Sequence, residues 1–184
     1  MTTIFTIGHG ARSLDAFVDL VLGTPVRRIA DVRTAPGSKR HPHFGRDALT
    51  LSLPERGIEY EWWGEDLGGF RRAQPDSRHA ELRSDGFRGY ADHMDSDAFR
   101  AARSRLIEGA GRIFTAVMCA ETVWWRCHRR MLADGLLAAG CEVIHILDGP
   151  RLDRHRLTSA ARIDGDRVVY DVPEDDDGQR RLTT

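Results

Sequence analysis

The sequence predicts an α/β fold, a single domain built on an open, mainly parallel sheet with helices packed on both faces. Residues 4–7, 28–32, 113–118 and 143–147 read as short buried strands, and 113–118 is a continuous apolar run of the kind expected in the middle of a parallel sheet. Segments with helical apolar spacing separate them, and glycine and proline mark the joints.

The elements follow in order. Residues 4–7 form a strand closed by Gly8, and Ser13 then caps the helical spacing Leu14, Phe17, Val18, Val21, Leu22. A second buried strand spans residues 28–32, and the loop 34–45, with two prolines and two glycines, is long enough to serve a function. Leu49, Leu51 and Leu53 predict a short helix before Pro54 and Gly57. Residues 58–63 alternate as a strand, and Gly64 and the pair Gly68–Gly69 interrupt regular structure. The stretch 76–111 is polar, with helical spacing at Phe99, Ala102, Leu106 and Ile107 behind a Ser96 cap. The run 113–118 is the clearest strand, ending at Cys119. A helix follows through Met131, Leu132, Leu136 and Leu137 to Gly140, and residues 143–147 form another strand. Residues 167–172 predict an edge strand. The expected division is a domain over 1–172 and an acidic, frayed tail over 173–184.

With 184 residues, 41% hydrophobic residues and a net charge of -1, the chain has the core of a folded domain, and any nucleic-acid binding would require a local basic patch. Every cation except Lys39 is arginine, which fits bidentate anion contacts and codon bias alike. There is no export signal and no apolar run of about 18 residues, so the expectation is a cytoplasmic protein off the membrane. Cys119, Cys127 and Cys141 then point to thiol chemistry or metal ligation rather than a disulfide framework.

Ligands of open α/β sheets bind beyond the carboxyl ends of the strands. Here those ends carry Gly8-His9-Gly10, Asp31-Val32-Arg33, Gly68-Gly69 and Cys119-Ala120-Glu121, a distribution that convergence on one ligand would explain. Cys127, His128 and Arg129 are expected in the first turn of the following helix, where free N–H groups favour an anion and lower a thiol pKa. Cys127 reads as a thiolate or as a small buried residue locking helix to sheet, and Arg129 as an anion clamp. Asp31 and Glu121 could divide acid and base roles or be salt-bridge partners of Arg33 and Arg129. His9 fits a general base, a donor to substrate, or a core histidine. The Cys119, Cys127, His128 spacing is poor for structural zinc, so no metal is assigned, even with His41 and His43 as further ligands. The pairs Trp62-Trp63 and Trp124-Trp125 read as core, or as a stacking surface for bases.

Taken together, TIGHG, DVRTAPGS, GIEYEWWGEDLGG, and CAE with CHR five residues later resemble the uncharacterised domain of unknown function family 488 over residues 4–147. The resemblance implies a bacterial or archaeal α/β protein and transfers no reaction, substrate or cofactor. It points to His9, Asp31, Arg33, Ser38, Gly68, Gly69, Cys119, Glu121, Cys127, His128 and Arg129. Gly10 departs from a frequent serine, which would remove a hydroxyl from the site, and Val123-Trp124-Trp125 replaces a linker that commonly holds proline.

The functional expectation is an enzyme for an anionic substrate, a nucleotide or nucleic-acid component. Asp31, Glu121, His9 and Cys127 would be catalytic, and Arg33, Ser38, Gly68, Gly69, Cys119, His128 and Arg129 would bind substrate. The alternative is a ligand-binding module or thiol-based redox sensor in which Cys119 and Cys127 respond to oxidation.

Overall fold

The computed structural model describes residues 1–37, 39–149 and 151–173. Ser38 and the acidic residues 174–177 lie outside the described residues.

Strands β1 (Thr3–Gly8), β2 (Arg28–Asp31), β3 (Glu59–Trp62), β4 (Thr115–Cys119), β5 (Glu142–Ile146) and β6 (Leu152–Arg154) form one sheet in the order β3-β2-β4-β1-β5-β6. The first five are parallel, and β6 returns antiparallel beside β5. This is the mainly parallel α/β sheet the apolar runs predict. The central run ends at Cys119 as expected, and all five residues of β4 are buried.

Helices cover both faces. On one lie α1 (Leu14–Leu22) and α2 (Arg46–Ser52), whose Phe17, Val18, Val21 and Leu49 pack with Phe44 on Phe5, Ile7, Ile29, Ala116 and Met118. On the other, α4 (Asp85–Met94), α5 (Asp97–Ala110) and α6 (Arg129–Ala138), which follow the one-turn α3 (Gly64–Leu67), pack Tyr90, Phe99, Leu106, Met131 and Leu136 on Ile4, Ala30, Val117 and Val143. Alternate residues of each strand thus feed opposite cores. The serine caps act as read: Ser13 accepts from the Ala16 N–H and Ser96 from the Phe99 N–H. Gly140, at φ 82°, turns the chain out of α6 in a left-handed conformation that a side chain would strain.

Two expectations change. The polar stretch before Ser96 contains α4, whose few apolar residues Tyr90, Ala91 and Met94 suffice to bury one face. Residues 167–172 are not an edge of the main sheet: β8 (Arg167–Tyr170) pairs with β7 (Ala161–Asp164) in a separate antiparallel ribbon, which lays Val168 and Tyr170 on the α4–α6 side of the core. Among the described residues, no helix is long and apolar enough to cross a membrane.

Candidate functional site

Strands β1 and β4 are neighbours whose following helices lie on opposite faces, the place where an open α/β sheet offers a crevice. Here the crevice is closed by backbone. The His9 N–H donates to the Cys119 carbonyl at 3.0 Å and the Gly10 N–H to that of Ala120 at 2.9 Å. Gly8 permits this approach, since a Cβ there would stand 1.9 Å from the Glu121 oxygen. Gly10 has φ 55°, and the Thr122 hydroxyl lies where a Cβ would stand.

The expected single pocket is divided. Asp31 follows Ile29 on the α1–α2 face, and Cys119 follows Val117 on the α4–α6 face, because neighbouring residues of a strand point oppositely.

On the first face Arg33 folds back on Asp31. Its Nε donates to Asp31 Oδ1 at 2.8 Å and Nη2 to Oδ2 at 2.6 Å; Nη2 also reaches the Phe44 carbonyl at 2.8 Å and Nη1 meets His9 Nε2 at 3.1 Å. Asp31 also accepts from the Arg33 N–H at 3.1 Å and from the Tyr60 hydroxyl at 2.7 Å. Both oxygens are thereby engaged, and Asp31 is fully buried. His9 stacks on Phe44 at 4.2 Å, and its Nδ1 bonds the Gly10 carbonyl at 2.9 Å. The tautomer compatible with both contacts has the proton on Nδ1 and accepts from Arg33 at Nε2. Burial, reinforced by the Arg33 charge, drops the His9 pKa to about 4.

On the second face the sulfurs of Cys119 and Cys127 stand 3.1 Å apart. Arg129, 1% exposed, donates from Nε to Cys119 at 3.0 Å and to Cys127 at 3.4 Å, and its backbone N–H reaches Cys127 at 3.4 Å. The rest of its guanidinium holds the loop through the carbonyls of Glu121 and Thr122. The hydrogen bond from Cys119 and the Arg129 charge bring Cys127 down to about pKa 6 against the cost of burial, whereas Cys119, which holds the shared proton, is pushed well up. A thiolate forms on Cys127 and a thiol remains on Cys119.

The helix position expected for Cys127 is corrected. A 3-10 turn, Trp124–Arg126, intervenes, and α6 starts at Arg129 with His128 as its N-cap. Cys127 is extended, at φ -138° and ψ 173°, which turns its sulfur back to β4. Its thiolate therefore rests on Cys119 and Arg129 and not on a helical first turn.

The remaining candidates fall around these clusters. The exposed Glu121 carboxylate accepts from the Val123 N–H at 3.3 Å, and it is the Glu121 carbonyl that meets Arg129. His128 donates to the Val32 carbonyl, while its Nε2 is buried without a partner; burial takes its pKa to about 4. Gly69 lies against the His128 ring, where a Cβ would come within 2.7 Å of Nδ1, and Gly68 against Thr34 and the Gly64 carbonyl. Two surface grooves, one lined by Arg71, Arg72, Gln74, Asp85 and Arg88 and one by Glu61, Trp62, Trp63, Glu65, Asp66 and Arg105, include none of the expected catalytic or substrate-binding residues, though the second holds the Trp62-Trp63 pair. Among the described residues no three His, Cys, Asp or Glu side chains gather in a way that would hold a metal ion.

Sequence reading missed a buried chain on the α4–α6 face. The Thr6 hydroxyl lies 2.7 Å from His145 Nδ1, His145 Nε2 3.0 Å from His155 Nδ1, and His155 Nε2 2.9 Å from Asp134 Oδ1. A signal existed: His145 interrupts an apolar strand and Asp134 an apolar helix face, and buried polar residues require partners.

Comparison with curated proteins finds no match, and neither does comparison with solved structures. Residues 13–136, from the cap of α1 to the last turn of α6 and including both cysteines of the pair, match the family model described as Domain of unknown function DUF488, and the chain belongs to that family.

Proposed function

We propose that the protein carries out thiol–disulfide exchange, with Cys127 as attacking thiolate and Cys119 as resolving thiol. The observation that carries this reading is the 3.1 Å sulfur pair bridged by a buried arginine. Cys127 is half-buried and Cys119 almost fully buried, so an incoming disulfide meets Cys127 first. The Cys127 thiolate attacks one sulfur of a small disulfide; a mixed disulfide forms and one thiolate leaves. Cys119 then gives up its proton and attacks the Cys127 sulfur, closing the internal disulfide and expelling the second thiol. Two electrons pass from the pair to the reagent. The sulfurs need to approach by about 1 Å to reach the ~2.05 Å bond of a disulfide.

This draws on the alternative raised by the sequence more than on acid–base chemistry at Asp31 and Glu121. Asp31 is saturated by four donor contacts, the Glu121 carboxylate is exposed, and Arg33 and Arg129 spend their donors inside the protein, so the geometry gives an anionic or nucleic-acid ligand little support. A cytoplasmic setting fits the reading, since a pair kept reduced there can cycle.

The test is peptide mapping after titration with glutathione disulfide. A Cys119–Cys127 crosslink in the wild type is expected, with a trapped mixed disulfide on Cys127 in Cys119→Ser and none in Cys127→Ser. A thiolate absorbance near 240 nm that titrates around pH 6 and vanishes in Cys127→Ser completes the expectation. Labelling at Cys141 in preference to Cys127, or a midpoint in the ordinary thiol range, would overturn it.

A further inference from the structure

We propose that Asp134, His155 and His145 are positioning residues of the thiol centre: through Thr6 they hold the Arg129 guanidinium, and through Trp124 the loop carrying Cys127, against the sulfur pair. This rests on the thiol–disulfide reading and adds residues far from the sulfurs in sequence.

The chain has one consistent direction. Asp134 accepts at both oxygens, from the Thr158 N–H at 2.9 Å, the Thr158 hydroxyl at 2.7 Å and the Tyr170 hydroxyl at 2.8 Å, besides His155 Nε2. An acceptor so placed fixes the proton of His155 on Nε2, leaving Nδ1 to accept from His145 Nε2. His145 Nδ1 then accepts from the Thr6 hydroxyl, its partner across the β1–β5 pairing. With its hydrogen committed there, Thr6 turns a lone pair to Arg129 Nη1, 3.5 Å away. Burial keeps His145 from charging, pushing its pKa far down, so the direction persists over the working pH range.

A second contact runs beside the first. The Trp124 ring stacks flat on His145 at 4.0 Å and 8°, and its carbonyl lies 3.8 Å from the Cys127 sulfur. The His145 ring therefore backs the sulfur loop through Trp124 and the guanidinium through Thr6. Thr6, Asp134, His145 and His155 are each at most 3% exposed, too deep to meet a substrate, which leaves positioning as their contribution. The titratable groups facing Cys127 are Cys119 from β4, Arg129 from α6 and Tyr90 from α4. Of these, Arg129 is the one the chain touches.

The experiment follows iodoacetamide alkylation of Cys127 against pH by mass spectrometry in the full chain. Thr6→Val, which keeps shape and removes the hydroxyl, and Asp134→Asn are expected to raise the midpoint by about one unit, which at pH 6 slows alkylation about fivefold. Thr6→Ser should restore the wild-type profile. Val143→Ala, on the same strand as His145, should lower stability without moving the midpoint. If Asp134→Asn fails to fold, the Thr6 pair decides alone. A Thr6→Val profile identical to wild type, or an equal shift in Val143→Ala, overturns the inference while leaving thiol exchange standing. A wild-type midpoint in the ordinary thiol range overturns both.

Discussion

The two clusters at the carboxyl edge of the sheet share a plan and differ in one component. Each centres on a buried arginine held by several acceptors, Arg33 on the α1–α2 face and Arg129 on the α4–α6 face. Arg33 closes on the Asp31 carboxylate, whereas Arg129 closes on two sulfurs. A bidentate carboxylate pair is a fixed charge balance that excludes water and holds its neighbours still. A thiolate counter-charge can be lost to oxidation, which a carboxylate does not undergo, so the second cluster has a redox change of state that the first lacks. On the proposed thiol–disulfide reading, reactivity follows the kind of group that neutralises the arginine, not the number of polar residues gathered.

The comparison breaks most visibly at Asp31. Asp31→Asn leaves Arg33 buried with half its partner and an amide facing donors on both sides, and truncating a buried pair in this way costs about 3–5 kcal/mol. Urea unfolding at pH 7 should show that loss. The Cys127 titration of the folded variant should stay where it is, because the two clusters sit on opposite faces. A shift of the thiol midpoint in this variant would mean that they act as one site.

That separation explains what was legible in the sequence. Continuous apolar runs specify buried strands, and the Ser13 and Ser96 caps specify helix starts, because both signals are local. The placement of His9, Asp31 and Cys119 at strand ends was legible for the same reason. Which face each occupies depends on register between strands, with Phe5 beside Ala116 and Ile29 beside Ala116 from the other side, and no local pattern carries that. The extended conformation of Cys127 escaped because the Trp124–Arg126 turn looks in sequence like the start of the helix it precedes. His145, His155 and Asp134 escaped because their partnership spans elements joined only by the tertiary fold.

A second prediction uses acid. His9 has its folded pKa lowered, to about 4, by burial first and Arg33 second. A lowered histidine pKa means that the unfolded chain binds the proton more readily, so its contribution to stability is complete above about pH 6.5 and is lost as pH falls toward 4. The slope attributable to His9 is at most about 1.4 kcal/mol per pH unit over that window, giving a total near 3 kcal/mol. His128, lowered to a similar value, adds to the wild-type slope from the other face. In His9→Gln the dependence of unfolding free energy on pH should flatten between pH 6.5 and 4 but not disappear. Parallel curves for wild type and variant would show that His9 gains a proton inside the fold, and that the first cluster is not the fixed assembly described above.

The smallest effect expected is at Tyr60, and it sharpens the comparison because it removes one donor without disturbing the charge pair. The Tyr60 hydroxyl donates to Asp31 Oδ2 at 2.7 Å from β3, the strand next to β2. Burial and the Asp31 carboxylate both hold its phenol proton in place, raising its pKa. Tyr60→Phe leaves Oδ2 still bonded to Arg33 Nη2 at 2.6 Å, so no buried charge is abandoned. The loss is that of one hydrogen bond to a charged group, about 1.5 kcal/mol. It should appear in the urea midpoint at pH 7 and leave both the alkylation rate and the midpoint of Cys127 unchanged. A loss as large as that of Asp31→Asn would show that Arg33 alone does not hold the carboxylate and that the phenol is part of the balance. A stability change near the expected value accompanied by slower Cys127 alkylation would show instead that the first face reaches the sulfurs through the β2–β4 pairing, and the division into one fixed and one reactive cluster would have to be given up.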